Sequence, residues 1–129
     1  MSGFSEQIPD EVIIGLGALS NRAFYTAHEY FEDAWRKTPD YSREFYRALL
    51  HISGGFFRLS QERPAAAKKF FIHALEWLAF FPSPYRGFRT DELINCLQNL
   101  TEAINQNEPC DVILREYFKP IRSILDMRS

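Results

Sequence analysis

Apolar residues recur at three-and-four spacing along the whole chain, and no stretch alternates with the period of two that a strand requires. This pattern predicts an all-α protein, a compact bundle of five or six helices. Pro9 and Asp10 open a first helix that Gly15 and Gly17 weaken and that Ser20-Asn21 ends. In the second, Phe24, Ala27, His28, Phe31 and Trp35 share one face, and Lys37-Thr38-Pro39 stops it. A third helix is expected from Ser42, read as its N-cap, to about Ser60. Phe45, Leu49, Ile52, Phe56 and Leu59 form one stripe on it, and Tyr46, Leu50 and Phe57 a second, so this helix belongs in the middle of the bundle. Gly54-Gly55 inside it should be compensated by close approach of a neighbouring helix.

Pro64 suits the first turn of a fourth helix, whose inner face runs through Ala67, Phe70, Phe71, Ala74, Trp77, Leu78 and Phe81. A rigid loop follows at Pro82-Ser83-Pro84-Tyr85-Arg86-Gly87. Thr90 is placed to cap a fifth helix through Leu93, Ile94, Leu97, Leu100 and Ile104. A last segment begins at Pro109, and Pro120 should kink or split it. With no internal repeat, low-complexity tract or linker, the 129 residues read as a single helical domain.

Composition adds one unusual feature to this picture. The chain carries 12 Phe, 6 Tyr and 2 Trp, each able to bury on the order of 150–250 Å². So many aromatics imply a dense core or an apolar surface needing cover, and the pairs Tyr117-Phe118 and Phe80-Phe81 are the expected surplus. A net charge of −2 argues against a dedicated nucleic-acid binder. Cys96 and Cys110 have no metal or redox spacing and read as reduced thiols. No signal peptide is indicated, and the longest uncharged stretch, Ala48 to Phe57, is too short to span a bilayer. A soluble, cytoplasmic protein is expected, with no membrane span.

Candidate chemistry gathers on the second helix, in Ala27-His28-Glu29-Tyr30-Phe31-Glu32-Asp33-Ala34-Trp35-Arg36. His28 and Glu32 lie one turn apart, and Trp35 sits nearly a turn beyond Glu32. A His and a carboxylate beside an apolar stripe need partners. Arg43, Tyr46 and Arg47 at the start of the third helix are the candidates.

The chain resembles the family catalogued as domain of unknown function three-zero-nine. The resemblance rests on Asn21, Phe24-Tyr25, Ala27-His28-Glu29, Glu32 and Trp35. It continues through Arg43, Phe45, Leu49-Leu50 and Ser53-Gly54-Gly55-Phe56-Phe57, and ends in the Pro84-Tyr85-Arg86-Gly87 loop. It spans about residues 21–93, with four blocks in order. His51 stands where the family often has Gln, and Thr90 where an acidic residue is frequent. The resemblance implies a small helical bundle and supplies no assigned reaction.

Three readings of the constellation compete. A metal could use His28 and Glu32 with His51 and His73, but HExxE lacks the second His of a zincin and the Glu-x-x-His motifs of a di-iron site. No stoichiometric metal or other cofactor is therefore expected. A catalytic pair of His28 and Glu32 lacks an obvious nucleophile. The favoured reading is a structural polar network of His28, Glu32, Trp35, Arg43, Tyr46 and Arg47, with Glu32 largely buried and bonded to His28, an arginine or Tyr46. Basic residues Arg43, Arg47, Arg58, Arg63, Lys68 and Lys69 are read as the solvated side of two helices. The expected function is a non-enzymatic interaction or scaffold module with an aromatic groove, binding a protein partner or a second copy. The runner-up is a hydrolase or metal-dependent enzyme using His28, Glu29 and Glu32. An open pocket at His28 would favour the enzyme, and a buried, fully bonded His28 the module.

Overall fold

A computed structural model of the chain describes residues 8–126. Six α-helices account for the regular structure among them: α1 (Asp10–Ser20), α2 (Phe24–Lys37), α3 (Arg43–Ser60), α4 (Pro64–Leu78), α5 (Thr90–Asn105) and α6 (Cys110–Asp126). The fold is all-α, as the periodicity predicts. The helix α3 packs against α2, α4 and α6, which is why it needs two apolar stripes. Its residues Phe45, Tyr46, Leu49, Ile52, Phe56 and Leu59 are all buried in one continuous core. The ring of Phe56 meets those of Phe24 on α2, Phe71 on α4 and Phe118 on α6.

Three helices close without the glycine that usually ends them. Arg22, Glu62 and Asn107 take φ near +60° just past α1, α3 and α5. Each donates its N–H back to a carbonyl of the last turn, and the next residue donates to an earlier one: Ala23 to Ala18, Arg63 to Arg58, Glu108 to Ala103. These paired bonds satisfy carbonyls that a helix end leaves open.

Capping differs from expectation at two places. The Ser42 hydroxyl makes no cap bond; instead Asp40 Oδ1 accepts the Ser42 N–H at 2.9 Å and the Ser42 hydroxyl as well. Thr90 is the first residue inside α5, and the Asp91 N–H is met at 3.1 Å by the hydroxyl of Ser83, reaching in from the loop. The helix α6 continues through Pro120 without splitting. Of the aromatic surplus, Phe81 and Phe118 are buried and Tyr117 is half-buried, while Phe80 is 75% exposed.

Glycines mark the closest helix contacts. A Cβ on Gly55 would sit 2.5 Å from Phe71 Cε1, one on Gly54 2.9 Å from Phe70, and one on Gly15 2.6 Å from Phe31. Gly17 faces open space. The same substitution should therefore have opposite signs in two helices. Gly17→Ala gains about 0.5–1 kcal/mol from backbone entropy. Gly55→Ala loses about 1–2 kcal/mol net, because the Phe71 ring is fully buried and cannot swing away. Urea titration of the two variants checks this, and equal signs would refute the packing account.

Candidate functional site

The outer side of α3 forms the floor of a groove walled by α2 and α4. Arg47, His51, Gly54 and Arg58 follow one another along this floor at three-to-four spacing. From α2 come Tyr25, His28 and Trp35, and from α4 Phe70, His73 and Trp77. All three histidines of the chain lie on this face. Three cavities run along it. The first, about 460 Å³, is lined by Arg47, His51, His73, Glu76, Trp77 and Phe80. The second, about 400 Å³, shares His73 with it and includes Arg58, Arg63, Lys69 and Phe70. The third, about 90 Å³, shares Arg58 and Phe70 with the second and reaches Tyr25, His28, Gly54 and Phe57. Shared walls make them one elongated depression.

Arginines and aromatic rings organise it. The guanidinium of Arg47 lies between two indoles, 4.6 Å from the centre of the Trp35 ring and 4.7 Å from that of Trp77. Its Nε is 3.1 Å from Glu44 Oε1, an ion pair without hydrogen-bond alignment. Arg43 also lies over Trp35, 5.3 Å from the ring centre, and its Nε donates to the Trp35 carbonyl at 3.3 Å. Arg58 covers Phe57 and Phe70, each at 5.6 Å. Stacked guanidinium groups hold their N–H edges in a fixed plane, a geometry suited to carboxylates.

Within this arrangement His28 Nδ1, Trp35 Nε1 and His51 Nδ1 are buried and meet no hydrogen-bond partner among the described residues. Burial pushes the His51 imidazole down to about 4, with the nearby basic groups His73, Arg47 and His28 adding to the shift and Glu76 opposing it. His28 is lowered as well, by burial first, with Glu32 and Glu29 opposing. At neutral pH both rings are uncharged.

The structure brings Trp35, Arg43 and Arg47 together but does not build the rest of the expected network. Glu32 is not buried against any of the expected partners. Its side chain is 33% exposed and accepts a 2.8 Å bond from Arg36, one turn on. Helix geometry places Glu32 on the flank of α2 that faces solvent, since Phe31 and Ala34 take the core side. Tyr46 is buried on the other side of α3, where burial raises its phenol above the ordinary value while Arg86 and a hydrogen bond with Ser42 oppose the shift. His28 stacks on Tyr25 with ring centres 6.0 Å apart. An exposed i,i+4 pair contributes about 0.3–0.5 kcal/mol. Glu32→Ala should thus shift stability by less than about 0.5 kcal/mol, and a thermal-melt loss several times larger would restore the network.

The loop residues Pro84, Tyr85 and Gly87 line none of the three cavities. Tyr85 instead packs its ring 4.7 Å from Phe81 and 5.1 Å from Phe45, and accepts a bond from Arg86 Nε at 3.2 Å. Gly87 has φ 86°, which explains the glycine there. No three His, Cys, Asp or Glu side chains gather as a metal ligand set among the described residues. No described helix is long and apolar enough to cross a membrane. From the sequence, His73 is named only as a metal-ligand candidate and Trp77 is placed on the inner face of α4; the spacing of His73 and Trp77 one turn apart on α4 is the signal that puts both on the groove.

No curated protein and no solved structure gives a significant match to the chain. Residues 13–70, from α1 into α4 and including all of α2 and α3, match the family model described as domain of unknown function (DUF309), the same family that the sequence pattern resembles.

Proposed function

We propose that the protein is a non-enzymatic interaction module whose α2–α3–α4 groove receives a segment of a protein partner. The observation that carries this reading is the exposure of an aromatic ring at each end of the groove. Tyr25 is 55% exposed at the His28 end, and Phe80 is 75% exposed at the Trp77 end. Large apolar rings held open to water along a connected depression are the hallmark of a recognition surface.

The enzymatic alternative is weakened by how α2 distributes its polar groups. His28 lines the small cavity against α3 and α4. Glu29 and Glu32 line a separate acidic depression with Thr26, Tyr30 and Asp33. An acid–base pair working on one substrate needs both groups in the same cleft.

A photo-reactive amino acid placed at Phe80, and in a second variant at exposed Ile14 on α1, tests the reading in producing cells. A discrete cross-linked protein from position 80 and none from position 14 is expected. A species of twice the chain mass would identify the partner as a second copy. Cross-links from position 14 alone, or from neither position, would overturn the assignment of this face.

A further inference from the structure

The charge of the groove identifies the class of partner, on the premise that the groove is an interaction site. The three cavities are lined by four cations, Arg47, Arg58, Arg63 and Lys69, and by one carboxylate, Glu76. Glu76 is already 3.2 Å from His73. Among the described residues no carboxylate pairs with Arg58, Arg63 or Lys69, although the chain as a whole carries a net charge of −2. Cations therefore outnumber carboxylates on this face, against the balance of the whole chain. The second cavity holds three of these cations and no acid.

Shape narrows the class further. From Ala66 to Trp77 the α4 wall is twelve residues, about 16 Å from first to last at 1.5 Å per residue, the length of three helical turns. A helix laid in a groove presents anchors at i, i+3, i+4 and i+7, and exposed aromatic rings stand at both ends to receive them.

We propose that the groove binds an acidic amphipathic helix of a partner protein, its apolar stripe on the Tyr25-to-Phe80 line and its carboxylates on Arg58, Arg63 and Lys69. A single-stranded nucleic acid fits less well. Along the middle of the groove the aromatic rings are already faced by guanidinium groups, Trp35 and Trp77 by Arg47 and Phe57 and Phe70 by Arg58, which leaves Tyr25 and Phe80 at opposite ends and no run of open faces for successive bases. A second copy docked about a twofold axis would set the same cations against one another.

The test uses the full chain and three fluorescent probes in anisotropy titrations. One is a helical peptide of about four turns with leucine and phenylalanine at i, i+3, i+4 and i+7 and glutamate elsewhere. The second replaces every glutamate by lysine, and the third is an oligothymidylate. The glutamate peptide should bind at least about tenfold more tightly than the lysine peptide at low salt and weaken as salt rises. In the double variant Arg58→Glu with Lys69→Glu, the preference should reverse, a gain that an unfolded protein cannot give. Equal binding of both peptides, a lysine preference in the wild type, or tighter binding of the oligothymidylate overturns the proposal. If that happens while cross-linking from position 80 persists, the groove reading stands and the acidic partner falls. If cross-linking is also absent, both fall.

Discussion

Phe56→Ala is expected to lower the free energy of unfolding by about 3–5 kcal/mol, a large share of the roughly 5–15 kcal/mol typical of a domain. The ring is fully buried at the centre of α3. It lies 5.5 Å from Phe24, 5.2 Å from Phe71 and 5.0 Å from Phe118, so one side chain joins α3 to α2, α4 and α6. Truncation removes the transfer energy of the ring and leaves a cavity between four helices that cannot all close in, because Gly55 already sits at the contact limit against Phe71. Phe80→Ala is the control: the ring is largely in water, so the loss should stay below about 0.5 kcal/mol. Guanidinium titrations of the two variants give both numbers. A Phe56→Ala cost under about 1.5 kcal/mol would mean that α6 does not dock on α3 as described.

The role of Phe56 was legible from the sequence because its stripe of Phe45, Leu49, Ile52, Phe56 and Leu59 repeats at helical spacing, and periodicity reports burial directly. Gly54 and Gly55 were legible for a related reason, since two glycines inside a helix are unfavourable unless a neighbour comes close, and Phe70 and Phe71 do. Helix ends were harder. The chain reverses at Arg22, Glu62 and Asn107, none of which carries the glycine signal for a left-handed residue. At the start of α5 the capping hydroxyl belongs to Ser83, seven residues before Thr90, a contact that local spacing cannot reveal.

The site was legible in part. Local sequence could bring Trp35, Arg43 and Arg47 near one another, because α2 and α3 are joined by a short turn. It could not supply Trp77, the second indole on Arg47, which arrives from α4 through tertiary packing. The partner of Glu32 is not legible, because a residue next to an apolar stripe can turn either way, and Arg36 one turn on offers a solvent-side partner at no cost in burial. Tyr46 shares α3 with Arg47 but lies about 100° around the helix, which is enough to send it to the loop cluster instead of the groove.

Acidification is expected to remove about 2 kcal/mol of stability through His51, most of it between pH 6.5 and pH 4. The unfolded chain has an ordinary imidazole that protonates near 6.5, while the folded ring holds off protonation until about 4. Between these values the unfolded state carries more protons, so the unfolding free energy rises with pH and falls on acidification, and the loss levels off below about 4. A shift of this size corresponds to roughly 3 kcal/mol at 1.36 kcal/mol per unit. Because the ring borders a solvent-facing cavity, screening reduces that to about 2 kcal/mol. His73, Arg47 and His28 face the ring and oppose its charging, while Glu76 favours it. His28 is shifted in the same direction and contributes with the same sign. The variant His51→Gln isolates the effect, since glutamine keeps a polar group of similar reach and does not titrate. Unfolding free energies of the wild type and His51→Gln at pH 7 and pH 4.5 form the measurement. The wild type should lose about 2 kcal/mol more than the variant across that interval, with the contribution of His28 largely cancelling. A difference between the two proteins that stays constant within about 0.5 kcal/mol, or an imidazole resonance of His51 that titrates near 6.5, would show that the ring is not shut away from protons in the folded groove.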